Sequence, residues 1–185
     1  LVAYLQVIDN PYDQVSLLRI ANRPRRGIGD TSLQRLAAYA AGLDATLWEA
    51  TGRSDEAGLA AASSRAVTSF RNAIESLMAT ATDSGVGDLV EAVLDRTGYL
   101  EALEAERTIE ARGRIENLEE LVGVAREYDA SATEPSLSGF LQEISLYSDQ
   151  DALRSEEEAD GGQVTLMTLH NAKGLEFRAV FMIVM

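Results

Sequence analysis

The 185 residues contain no cysteine, and they hold only one histidine, one tryptophan and three prolines. Without thiols the chain forms no disulfide and no thiolate zinc site, and a lone histidine leaves no ligand set for structural zinc, so no metal site is expected. No apolar run approaches the ~20 residues that cross a bilayer, and no secretory leader pattern opens the chain. The expectation is a reducing, cytoplasmic setting with no membrane partner. Positive charge is also scarce, with 16 basic against 30 acidic residues and a net charge of -14. Such a balance excludes a protein that coats nucleic acid over its whole surface.

What basic charge there is lies unevenly. Arg19, Arg23, Arg25 and Arg26 occur close together with no acid among them, whereas Glu101 to Glu120 and Glu156 to Asp160 are heavily acidic. A DNA contact is therefore expected to be local, at the arginine cluster. The high alanine content and the preference for arginine over lysine resemble a high-GC bacterial composition.

A hydrophobic content of 46% is enough for a core of ordinary size, as one domain or one domain plus a fragment. Helical signals dominate. Asn10-Pro11 stops a first short helix, Asp13 caps a second that runs to about Ala21, and Pro24 ends it. Gly27-Ile28-Gly29 makes a tight turn, after which Asp30 or Thr31 is expected to cap a helix carrying Leu33, Leu36, Ala37 and Ala40. Further helices are expected over Leu43 to Ala50, Gly58 to Thr80, from a cap at Asp88, over Arg112 to Tyr128, and after Pro135 with Leu137, Phe140, Leu141 and Ile144. Beyond the acidic linker Ser155 to Gly162 the periodicity changes to extended, with strands expected over 164–169 and 179–185. An all-α middle flanked by an N-terminal helix and a β segment is the pattern of a helical domain inserted into a split α/β domain.

The chain's only lysine stands three residues after its only histidine, in Thr168-Leu169-His170-Asn171-Ala172-Lys173-Gly174-Leu175-Glu176-Phe177, directly behind the first expected strand. This string closely resembles motif V of the UvrD/PcrA/Rep class of superfamily 1 DNA helicases. Asn171 replaces a small residue of that motif, and Arg178 stands where proline or an acid is usual. The stretches Leu1 to Pro11 and Leu17 to Asp30 resemble the same family's passage from its second RecA-like domain, 2A, into the accessory 2B subdomain. Gly113 to Leu121 and Leu137 to Tyr147 are family-like too.

The resemblance implies a mainly α fold: a stump of domain 2A over 1–22, a helical 2B-like accessory subdomain over 23–160, and a short β segment of the split RecA-like α/β domain over 161–185. It implies a parent that is an ATP-dependent 3′-to-5′ DNA helicase of repair or replication, using ATP and Mg²⁺. Its partners would be duplex and single-stranded DNA, the rest of the motor, and repair or transcription proteins. Thr168 and His170 would face the single strand or couple it to the nucleotide. Lys173, Gly174 and Glu176 would lie on the nucleotide side, with Glu176 accepting from ribose hydroxyls.

A Gly-rich phosphate loop ending in Lys-Ser/Thr is absent, so the chain alone is expected to bind no ATP and to be catalytically silent. Arg25, Arg26, Gly27, Ile28, Gly29 and Thr31 form the candidate duplex site. Glycines let amides converge beside a helix N-terminus and two guanidinium groups, which suits a phosphate without base readout. Two alternatives stay open: a regulatory protein-interaction module with little DNA affinity, and a helical self-associating module. An unpaired strand at 179–185 is also expected to promote self-association.

Overall fold

A computed structural model describes residues 1–146 and 181. The chain divides into two compact units, Leu1–Ser145 and Leu146–Met185. The first holds helices α1 (Val2–Asp9), α2 (Gln14–Ile20), α3 (Asp30–Gly42), α4 (Leu47–Thr51), α5 (Ala61–Asp83), α6 (Val86–Arg96), α7 (Tyr99–Glu106) and α8 (Ile109–Ser131). A last helical stretch begins at residue 137. The fold is mainly α. The expected linker 155–162 and strands 164–169 and 179–185 lie outside the described residues, Phe181 excepted, and so do Thr168, His170, Lys173, Gly174 and Glu176.

α1 is apolar on nearly every side, and Ala3, Tyr4, Leu5, Val7 and Ile8 are all buried. A helix without a polar face must be surrounded. Accordingly α1 packs on both α2 and α5, and its side chains join Leu36 of α3, Ile74 of α5 and Val90 of α6 in one core. Packing is continuous across residue 22. α5 earns its place through Val67, Phe70, Ile74 and Leu77, which recur at helical spacing and are all buried. Each such side chain stabilises by about 1.5–3 kcal/mol through burial.

The helix starts show where local signals suffice. The Asp13 carboxylate accepts the N–H groups of Val15 and Ser16, as its position before α2 leads one to expect. Those bonds hold its pKa below the ordinary aspartate value, the Ser16 contacts leading. Thr46 and Glu49 form a capping box, so the helix expected from Leu43 starts at Leu47 instead. Thr108 caps α8 three residues earlier than the apolar stripe alone suggests, its Oγ1 taking the Ala111 N–H.

α7 is absent from the sequence expectation. It fits between two left-handed residues, Gly98 at φ 69° and Arg107 at φ 53°, and only Leu103 is buried, so its apolar signal is thin.

Neither α3 nor α6 is capped by the side chain expected. Gly29 is the N-cap of α3, and Asp30 and Thr31 already lie inside the helix. In α6 the N-cap is Gly85, and Asp88 sits in the first turn. The acceptor comes from far along the chain: Asp129 of α8 takes the Val86 N–H at 2.9 Å and the Gly87 N–H at 2.8 Å. A Cβ at Gly85 would stand 2.6 Å from the Asp129 carboxylate, so only glycine admits this approach. Asp129→Ala is expected to lower the unfolding free energy by about 1–3 kcal/mol, because it leaves two amides uncapped. Urea denaturation checks this, and an unchanged midpoint would show the bridge to be idle.

Candidate nucleic-acid interface

The turn between α2 and α3 is closed by one side-chain oxygen. Asn22 Oδ1 accepts the N–H of Arg26 at 2.9 Å and that of Ile28 at 3.2 Å, drawing residues 22 to 28 into a loop. Asparagine favours such bonds because its short carbonyl reaches amides a few residues on. Gly27 has φ 86°, a left-handed value that L side chains rarely adopt. Ile28, only 1% exposed, plugs the loop into the core. Gly29 follows in ordinary extended backbone, φ -81° and ψ 169°, and starts α3.

The two candidate arginines face different ways. Arg26 is half-buried, and its guanidinium is spent inside the molecule. Nη2 donates to the Tyr4 hydroxyl at 2.5 Å and to the Arg23 carbonyl at 3.1 Å, and Nε donates to the Pro24 carbonyl at 3.2 Å. The same group lies 5.9 Å from the Tyr4 ring centroid and 5.1 Å from that of Phe70. Both distances are within cation–π range. Tyr4 in turn donates its hydroxyl proton to the Arg23 carbonyl at 2.5 Å. Burial raises the Tyr4 pKa, with Arg26 pulling weakly the other way, so the phenol keeps that proton at neutral pH. Arg26 therefore braces the turn against α1 and α5.

Arg25 is exposed, as are Arg19 and Arg23. Beside it the first turn of α3 is open. Among the described residues no side chain caps it, and no backbone acceptor takes the N–H of Gly29, Asp30 or Thr31. A Cβ built at Gly27 or Gly29 would meet nothing within 4 Å, so the backbone here borders empty space. Amides unpaired among the described residues, the positive end of a helix dipole and an exposed guanidinium together suit an anion. The exposed carboxylate of Asp30 in that first turn opposes one.

Of the six residues expected at this site, Arg25, Gly27, Gly29 and Thr31 are exposed, whereas Arg26 is half-buried and Ile28 buried. Asn22, Tyr4 and Phe70, which shape and brace the turn, are missed by sequence reasoning. An Asx residue ahead of a glycine turn is a readable signal for Asn22; nothing local points to Tyr4 or Phe70.

No group of acidic, histidine or cysteine side chains among the described residues could hold a metal ion. Nor is any helix among them long and apolar enough to cross a membrane.

Over residues 1–185 the chain matches the UvrD-like helicase C-terminal domain, and it belongs to that family. It is 41% identical over 184 residues to the ATP-dependent DNA helicase PcrA of Bacillus subtilis (strain 168), a match covering 98% of this chain and 25% of that protein. The proteins of the same name from Staphylococcus aureus (strain Mu50) and Staphylococcus epidermidis are each 38% identical over 183 residues, 98% of this chain and 24% of theirs. The chain thus spans about a quarter of the length of these relatives.

Proposed function

We propose that the chain is the 2B accessory subdomain, with flanking 2A segments, of an ATP-dependent 3′-to-5′ DNA helicase, and that it holds duplex DNA at the turn before α3. The observation that carries this reading is local: in a chain of net charge -14, an exposed Arg25 adjoins an uncapped helix N-terminus bordered by open space. Phosphate is the anion such a site suits without reading sequence, because amides and a guanidinium contact backbone oxygens rather than base edges. Family membership supports the rest. Thr168 and His170 serve the single strand, and Lys173, Gly174 and Glu176 serve ATP, which with Mg²⁺ drives the parent enzyme; no hydrolytic step is assigned to this chain by itself. The motor and repair or transcription proteins are its partners, in a cytoplasmic setting.

The regulatory-module alternative predicts no such site, so one titration separates the two. Binding of a labelled hairpin duplex is expected to be weak and indifferent to sequence, with log K falling by roughly 2–4 per unit of log salt for two to four phosphate contacts. Arg25→Ala is expected to reduce that slope by about 1. Equal affinity and slope for both proteins would transfer the assignment to the interaction module.

A further inference from the structure

A second surface has the opposite chemistry. α6, α7 and α8 enclose an open groove of about 550 Å³. Leu94, Leu100, Leu118 and Val122 line its apolar part, Leu94 and Val122 buried and the two other leucines half-buried. Around them stand the exposed carboxylates of Glu91, Asp95, Glu101, Glu104 and Glu119. Among the described residues the lining has a single cation, Arg126, and it is already paired with Glu91 at 2.7 Å. Among the described residues, four carboxylates therefore face the groove without a basic partner in its lining.

We propose that this groove docks a basic amphipathic helical segment of a partner protein, with apolar side chains on Leu100 and Leu118 and arginine or lysine against Asp95, Glu101, Glu104 and Glu119. The charge pattern selects this occupant. DNA phosphates would be repelled by the rim, and an acidic or neutral peptide would leave the carboxylates unmatched. A groove bounded by three helices admits a few side chains from one face of a helix, the i, i+3, i+7 mode of helix-in-groove recognition. This inference stands apart from the phosphate reading of the α3 turn, since the two surfaces share no residue.

The probe is a labelled ~14-residue peptide with leucines at i, i+3, i+4 and i+7 and arginines on its flanks, titrated by fluorescence anisotropy against the 185-residue chain. A scrambled peptide of identical composition is expected to bind about tenfold more weakly, since it keeps the charge and loses the apolar face. Glu101→Lys/Glu104→Lys is expected to weaken the amphipathic peptide by about tenfold or more, with duplex DNA affinity retained. Glu127→Lys/Glu134→Lys makes the same charge change at exposed positions outside the groove and should leave peptide binding within about twofold. Thermal melting confirms that each variant is folded. Equal binding of the two peptides, equal loss in the two charge variants, or no binding at all would overturn the proposal. So would self-association abolished by Glu101→Lys/Glu104→Lys, which would assign the groove to the exposed arginines of a second copy.

Discussion

Replacing Arg26 by alanine is expected to lower the unfolding free energy by about 2 kcal/mol, whereas Arg25→Ala should change it by less than about 0.5 kcal/mol. The two residues are adjacent and chemically identical, so the difference must come from what each guanidinium touches. Arg26 supplies three hydrogen bonds and lies over two aromatic faces. Its loss strips the Pro24 carbonyl of a donor and uncovers part of the Tyr4 and Phe70 rings. Among the described residues Arg25 has no such partners, and it is exposed. Chemical denaturation of both variants measures the contrast directly. Lysine at 26 should restore little, because an ammonium cannot reproduce a planar fork shared among a phenol and two carbonyls. If Arg26→Ala proved as stable as the wild type and lost DNA binding as fully as Arg25→Ala, the bracing role would be wrong and both arginines would belong to the ligand.

That division could not be read from the sequence, and the reason is physical. Arg25-Arg26-Gly27 gives spacing and charge, but which guanidinium turns inward depends on Tyr4 and Phe70, which lie 22 residues before Arg26 in one case and on a separate long helix in the other. The same limit governs α6: Asp88 looks like a cap from its position, yet the acceptor is Asp129, 43 residues beyond Val86. Where the determinants are local, sequence suffices. Asp13 caps α2, the stripe Val67, Phe70, Ile74 and Leu77 is the buried face of α5, and the glycine turn precedes a helix as expected. α7 failed that test because its one buried leucine sits in an acidic run, and the arrangement holding it is tertiary. The family, by contrast, was legible from a motif whose residues lie outside the described structure, since a string of ten residues carries identity without needing its fold.

The two glycines of the turn should separate folding from binding. Gly27→Val forces a β-branched side chain into φ 86°, a conformation that costs on the order of 1–3 kcal/mol, so stability is expected to fall. Gly29 is different, since its φ of -81° and ψ of 169° suit valine and a Cβ there meets nothing within 4 Å. Gly29→Val is therefore expected to leave stability within about 1 kcal/mol, with only the small N-cap preference at stake. Its effect should appear in binding. If a phosphate approaches the amides of Gly29, Asp30 and Thr31, the valine methyl groups occupy the space it needs, and duplex affinity should drop by about tenfold or more, on the order of one or two lost hydrogen bonds to a charged group. The loss should persist at every salt concentration, because blocking the amides removes short-range hydrogen bonds, whereas Arg25→Ala removes a counterion-releasing charge and flattens the slope. Denaturation and hairpin titration on the same four proteins, wild type, Gly27→Val, Gly29→Val and Arg25→Ala, give both axes. A Gly29→Val protein that is stable and binds duplex as tightly as the wild type would remove the open helix end from the interface, leaving Arg25 as a surface charge with no cradle beside it.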